Sequence, residues 1–437
     1  MRCGAATCDI TNELGTLIQG ATVGGVANSV RDPLEANAIY LSQNSSAGET
    51  VILLVSCDFG GLEPRWTVAA RQSMSEASGV PARSILIGST HTGGPSIIPT
   101  NYQKPVDEAY LTRLVAWLAD LAKQAVANAV DGAIRYGQGH SRVGYNRRCC
   151  WADGTHSMFG DTRRADFMGL EGPDDPTHTA IGIESKDGSP IAILHANTAH
   201  PCTFYGADFY SADFPGTART YLRDAMGQIP VLFFNGAQGD ICTDDITARR
   251  RQESPDRQLA RLGHLLAGET LRLLHENDPV NELKLQHTFV DMETPLQMPT
   301  AERLTWAAGV LAKVDAGESV QGMDMALAHG MTLLQKRFGD QATDTLPIHA
   351  IRLGDLAIVS QPCELFCQFG HDVRRRSVAP MTAMFGLTDG YHGYCPTTSA
   401  IAGGGYSADP IYWTRFTPDA GDRIVDVAAR LVHQLWS

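Results

Sequence analysis

The chain has 437 residues, 43% hydrophobic and 19% charged, a composition ordinary for a globular enzyme and sufficient for a substantial core. Its formal net charge of −13 argues against nucleic-acid partners and against electrostatic docking on anionic lipid. No apolar run reaches the roughly 18–20 residues that cross a bilayer, so no stable membrane insertion is expected. The first residues, Met1 to Gly15, lack the long apolar stretch of a secretory signal, and a cytoplasmic location is expected. Val51–Cys57 and Ser84–Gly88 read as short buried strands, with a helix over Arg65–Ser78 between them. Leu111, Leu114, Val115, Leu118, Leu121 and Val126 place one apolar stripe on a helix within Val106–Val130. Pro190–Leu194 and Ile229–Phe234 read as core strands around a helix at Thr217–Met226. Ser254-Pro255 is a helix start, a cap followed by proline in the first turn. An Ala-rich block from about 300 to 338 reads as a helical insertion. Ile348–Val359 alternates about Gly354-Asp355 as a hairpin, and a last helix closes the chain at about Pro418–Trp436. The βα alternation makes this an α/β chain, simplest as one catalytic unit over 1–437.

Ten cysteines without a CxxC spacing read as buried free thiols, not a disulfide scaffold or a thiolate metal site. Most of the 14 histidines are ordinary, but two end apolar strands and precede Gly/Pro turns. His91 lies in Ser84-Ile85-Leu86-Ile87-Gly88-Ser89-Thr90-His91-Thr92-Gly93-Gly94-Pro95, and His200 lies in the Ile193–Gly216 stretch. A sheet holds such a ring rigidly while it points into a cleft, which suits a metal ligand. His195 is offset from His200 by an odd number, so in an extended strand it faces the other way and reads as structural. Catalytic zinc takes N and O ligands at about 2.0–2.2 Å and keeps one position open. No HExxH is present, so a carboxylate and a phenol must come from elsewhere. Glu364, in an apolar context just after a strand, is costly to bury unless it is paired or bound to metal. The Gly/Tyr-rich loop Leu387–Thr398 supplies Tyr391 and Tyr394.

Six segments occur in order: Thr90-His91-Thr92-Gly93-Gly94-Pro95, Asn146-Arg147-Arg148, Ala199–Phe204 with Ser211–Gly216, Asn235–Asp240, Pro362–Phe366 and Gly390–Thr398. Together they resemble the catalytic domain of the neutral/alkaline (non-lysosomal) ceramidase family. The resemblance implies a mixed β-sheet core flanked by helices. It implies one Zn2+ per chain, held by His91, His200, Glu364 and Tyr394, with Arg147 at the family's arginine. The chain departs from the family where THTH has its second histidine. Thr92 and Gly93 stand there, and His392 beside Tyr394 is the candidate substitute. Gln238 replaces the family's serine before Gly239-Asp240. True ceramidases also carry a C-terminal Ig-like domain; with Trp436-Ser437 soon after the tyrosine loop, none is expected here.

These residues predict a zinc-dependent hydrolase in which water attacks an amide-type (N-acyl) bond. Tyr394, Arg147 and His392 are the catalytic candidates. Thr92, Gly93, Asn235, Gln238 and Tyr391 are the substrate-binding candidates. Asp58, Asp213 and Asp240 are candidates to orient the imidazoles from behind. The partner expected is a small-molecule amide or acyl compound, smaller or more polar than ceramide; a homo-oligomer is compatible with the sequence. Three alternatives stand beside this reading: a zinc-dependent ester or lactone hydrolase, a non-catalytic binding protein on the same scaffold, and a metal-free hydrolase. For the last, no GxSxG elbow exists, and Cys202 beside His200 is the nucleophile candidate.

Overall fold

The computed structural model describes residues 1–19, 25–46, 48–102, 105–248 and 253–437. In chain order, strands β1 Arg2–Asp9, β2 Glu35–Ser45, β3 Gly48–Cys57, β4 Ile85–Ser89, β5 Val130–His140, β6 Thr177–Ser185, β7 Pro190–Asn197 and β8 Val231–Asn235 form an eight-stranded sheet. Their spatial order is β8-β7-β6-β5-β1-β2-β3-β4. Strands β9 Leu285–Pro295, β10 Thr343–Leu353, β11 Leu356–Ser360 and β12 Met381–Phe385 form a four-stranded sheet in that order. Pairs β3–β4, β7–β8 and β11–β12 are parallel, and the other neighbours are antiparallel. The large sheet is therefore mixed, as expected.

Side-chain alternation decides what each face buries. In β2 and β3, Ile39, Leu41, Ile52 and Leu54 point to one face, where they meet Ile351, Leu353, Leu356 and Ile358 of the small sheet. Ala36, Ala38, Leu53 and Val55 point to the other, against helices α1 Pro64–Ser78 and α2 Glu108–Ala127. Helices α3 Asp213–Met226 and α4 Pro255–Glu276 pack together, and α4 covers β5 and β6. The outer face of the small sheet buries Ile348, Ala350, Ala357 and Val359 under α9 Ala420–Trp436 and its neighbour α7 Cys367–Arg376. The result is four layers, with helices outside and two sheets inside.

The helix starts follow local chemistry. Ser254 accepts from the Arg257 amide and Asp107 from the Tyr110 amide, each satisfying a first-turn donor. Pro64 stands in the first turn of α1, and Gly79 closes that helix in the left-handed region at φ 76°. The block expected at 300–338 is an antiparallel pair, α5 Ala301–Asp315 and α6 Gly322–Phe338. It is no peripheral attachment, since Ala307, Leu311, Ala328, Met331 and Leu334 share the core of α9. The hairpin about Gly354-Asp355 is present as β10 and β11, with Gly354 at φ 62°. All ten cysteines are free. Among the described residues no helix is long and apolar enough to cross a membrane.

Candidate metal centre

Three parallel strand pairs feed the site. His91 follows β4, His200 follows β7, and Glu364 and Tyr394 follow β11 and β12. Asn235, the last residue of β8, ties these ends together. Its side-chain amide donates to the Thr90 carbonyl at 2.9 Å, and its side-chain oxygen accepts from the Ala199 amide at 3.2 Å. Its own carbonyl accepts from the Gly386 amide at 2.8 Å, which anchors the loop after β12. Glu364 and Tyr394 are opposed in a two-residue parallel ladder, Glu364–Leu365 against Tyr394–Cys395.

The Nε2 atoms of His91 and His200 lie 3.2 and 2.9 Å from the same oxygen, Glu364 Oε2. Each Nδ1 instead meets a backbone carbonyl, Gly60 for His91 and Ile241 for His200. A carbonyl only accepts, so each Nδ1 carries the hydrogen and each Nε2 of a neutral ring offers a lone pair. Three acceptor atoms then face one another inside the protein, which is stable only around a cation. A proton on His91 is one such cation. Burial opposes it, but the Glu364 carboxylate and the Gly60 carbonyl hold the His91 pKa above its ordinary value. Burial and Arg147 push His200 down to about 4. Burial works against the Glu364 charge too, yet the two imidazoles hold its pKa well below the carboxylate range. A divalent ion is another such cation, and His91, His200 and Glu364 offer ligand atoms that all lie within 4.8 Å of one another. These three side chains can therefore hold a metal ion.

His91 adopts φ 71°, in the left-handed region that a non-glycine residue enters at a cost of about 1–3 kcal/mol. The Arg147 Nη2 group lies 3.1 Å from His200 Nε2, donates to the Gly239 carbonyl at 3.0 Å, and reaches the Tyr394 hydroxyl at 3.3 Å. Among the described residues no carboxylate pairs with it directly. The Tyr391 hydroxyl donates to Glu364 Oε1 at 2.9 Å. Burial and the Glu364 charge hold both phenols, Tyr391 and Tyr394, well above their ordinary pKa, so both keep their protons.

These groups lie on a cavity of about 570 Å³. Thr92, Gly93, Arg147, Tyr391 and Tyr394 line it with the three candidate ligands. Three expectations fail. His392 faces away, because Gly390 at φ 154°, just before Tyr391, and Gly393 at φ 77°, just before Tyr394, turn the chain. Its ring lines a separate cavity with Arg71, Asp344 and Asp389. Asn235 and Gln238 do not reach the cavity wall; Asn235 is the clamp described above, and Gln238 is fully buried beside Gly386. The aspartates do not orient the imidazoles, since backbone carbonyls do. Asp58 pairs with Arg219 at 2.7 Å, Asp213 accepts from the Thr203 and Phe214 amides, and Asp240 accepts from the Cys367 amide and from Asn146. His195 behaves as expected: it is buried on the opposite face of β7, against His178 and Phe233.

Sequence reasoning missed Tyr406 and Trp413. Tyr406 packs edge-on against Tyr394 with centroids 5.7 Å apart, and both line the cavity. Their segment, Gly403–Trp413, is rich in glycine and polar residues and carries no helix or strand signal. Buried Arg148 brings it in, donating to the carbonyls of Ala400, Gly404 and Tyr406 while paired with Glu171 at 2.8 Å. Phe159, Phe204, Tyr205 and Met323 complete an apolar rim.

The whole architecture aligns with a neutral ceramidase from Pseudomonas aeruginosa at TM-score 0.76, over 99% of this chain and 74% of that one. The chain has a neutral-ceramidase-like fold. A second structure, a ceramidase complexed with C2, aligns at TM-score 0.75 over 100% of this chain and 75% of that one. Sequence identities are 16% and 15%, so the ceramidase-like likeness is one of fold. Neither a family profile nor any curated protein matches the sequence.

Proposed function

We propose that this chain is a zinc-dependent hydrolase that cleaves an amide-type bond of an N-acyl compound. The observation that carries this reading is the convergence of His91 Nε2, His200 Nε2 and Glu364 Oε2 on the cavity floor of a neutral-ceramidase-like fold. The ion would be held by these three groups and by the Tyr394 phenol. Bound zinc supplies Lewis acidity, which lets water act as a nucleophile near neutral pH. The protein's own groups do the rest. The Gly60 and Ile241 carbonyls fix both imidazole tautomers. Arg147, held by the Gly239 carbonyl, presents positive charge beside the Tyr394 hydroxyl, where an oxyanion develops on the substrate carbonyl. The apolar rim excludes water and binds the acyl portion. A cavity of about 570 Å³ suits a compact ligand, which supports a substrate smaller than ceramide. His392 lines a separate cavity and is not assigned the protonation of the leaving nitrogen in this reading.

The test is metal analysis of purified wild type and His200→Ala, with turnover measured on N-acyl compounds, esters and lactones. Near-stoichiometric zinc in wild type, little in the variant and a preference for amides support the reading. Full zinc and undiminished turnover in the variant would overturn it.

A further inference from the structure

Among the described residues four glycines line the cavity: Gly60, Gly93, Gly206 and Gly322. Two have a structural reason. A Cβ on Gly60 would sit 2.8 Å from Gln19 Cγ, and Gly206 has φ 82°. Gly322 stands at the outer rim, where α6 begins. Gly93 is different. It lies two residues from His91, its backbone is outside the left-handed region, and among the described residues an added Cβ would meet only Ile18 Cγ2, at 3.9 Å. Glycine costs backbone entropy, and neither backbone strain nor crowding by the described residues requires it here.

Local contacts hold this loop in place. The His91 amide donates to the Phe59 carbonyl at 3.0 Å, and the Gly94 amide to the Thr92 carbonyl at 2.8 Å. The Thr92 hydroxyl donates to the Ser211 carbonyl at 2.6 Å. Gly94 packs on the Asp58–Phe59 backbone, where a Cβ would come within 2.9 Å of the Asp58 carbonyl. A side chain at 93 would therefore project into the cavity beside the candidate ligands.

We infer that Gly93 is a specificity-determining residue: its missing side chain admits a branched or cyclic group attached next to the scissile bond. This rests on the hydrolase reading above. The bulky group belongs either to the acyl half or to the amine half of the substrate, and the two halves are tested separately.

The experiment measures binding of product-like pairs to wild type, Gly93→Ala and Gly93→Val by calorimetry. The acid pair is cyclohexanecarboxylate and hexanoate; the amine pair is cyclohexylamine and hexylamine. In one pair, Gly93→Val weakens the ring compound at least ten-fold and the linear one less than three-fold, with Gly93→Ala between. Loss in the acid pair assigns the bulk to the acyl half, and loss in the amine pair to the other. Equal weakening of both members, no change in either pair, or no binding of either ring compound to wild type overturns the inference. Turnover of an N-acyl panel by wild type is read in parallel. Ring selectivity without turnover sinks the hydrolase reading alone; turnover without ring selectivity sinks the role of Gly93 alone.

Discussion

The rings of His91 and His200 meet edge to face, with centroids 5.0 Å apart and planes inclined at 71°. Each is fixed from behind by a carbonyl, so both Nε2 atoms turn to one carboxylate oxygen. The arrangement is costly without a cation and favourable with one. Glu364→Gln removes the central charge while keeping the shape. Its affinity for Zn2+ should fall at least ten-fold, read by competition with a chromophoric chelator. Unchanged affinity would remove Glu364 from the ligand set.

An ion that binds only the folded state adds stability by mass action, about 2.7 kcal/mol at a hundred times its dissociation constant. Unfolding temperature should therefore rise with added Zn2+ in wild type and drop after chelation. His200→Ala should show neither response. A response that survives in the variant would place the ion elsewhere.

Gly88 sits in β4, just before the His91 turn. A Cβ there would lie 2.4 Å from Phe234 Cε1, and Phe234 is stacked on Phe385 with centroids 4.2 Å apart. Neither ring has room to retreat between the sheets. Gly88→Ala should lose about 1–3 kcal/mol in denaturant unfolding, the usual penalty for overpacking. A neutral result would show that the inter-sheet layer yields more than its geometry suggests.

His195 is fully buried, and among the described residues neither ring nitrogen has a hydrogen-bond partner. Burial first, then His178 and Arg219, hold its pKa well below the ordinary value. The unfolded chain binds a proton below about pH 6.5 and the folded chain does not, so this residue costs stability as pH falls through that value. His195→Leu should stabilise the protein at neutral pH, and its advantage should grow on acidification below pH 6.5. Equilibrium unfolding at several pH values checks this; a difference independent of pH would mean that the ring is not neutral in the fold.

Arg148 is buried, paired with Glu171 and bonded to three carbonyls. Arg148→Met removes the guanidinium from those three carbonyls and leaves Glu171 to His156, whose Nδ1 lies 2.6 Å from Oε2. A loss of about 3–5 kcal/mol is expected. The turn that carries Tyr406 to the cavity should loosen as well, seen as faster proteolysis near residues 400–406. Stability within about 1 kcal/mol of wild type would argue that water replaces the guanidinium.

Much of the frame was legible. Val51–Cys57, Ser84–Gly88 and Ile229–Phe234 are nearly continuous apolar runs, and each overlaps a strand buried on both faces, at Gly48–Cys57, Ile85–Ser89 and Val231–Asn235. The strands at Arg2–Asp9, Glu35–Ser45, Thr177–Ser185 and Leu285–Pro295 were not foreseen. They mix small, polar and charged residues, and their identity comes from pairing with distant neighbours. The helix expected from Thr217 begins four residues earlier, at Asp213, which holds a left-handed φ of 51° and bonds the Thr203 and Phe214 amides.

The sequence by itself determined that two imidazoles would end buried strands, that a glutamate would sit in apolar surroundings, and that two tyrosines would share one loop. These are local matters of hydrophobic period and turn chemistry. Only the tertiary structure decided which way each side chain faces. Tyr391 and Tyr394 turn toward Glu364 while His392 between them turns away, because left-handed glycines and a two-residue ladder set the loop. It also decided that carbonyls, not carboxylates, hold the imidazoles, and that Tyr406 joins the site. Such contacts join residues remote in sequence, and no local pattern encodes a direction fixed by the far side of the fold.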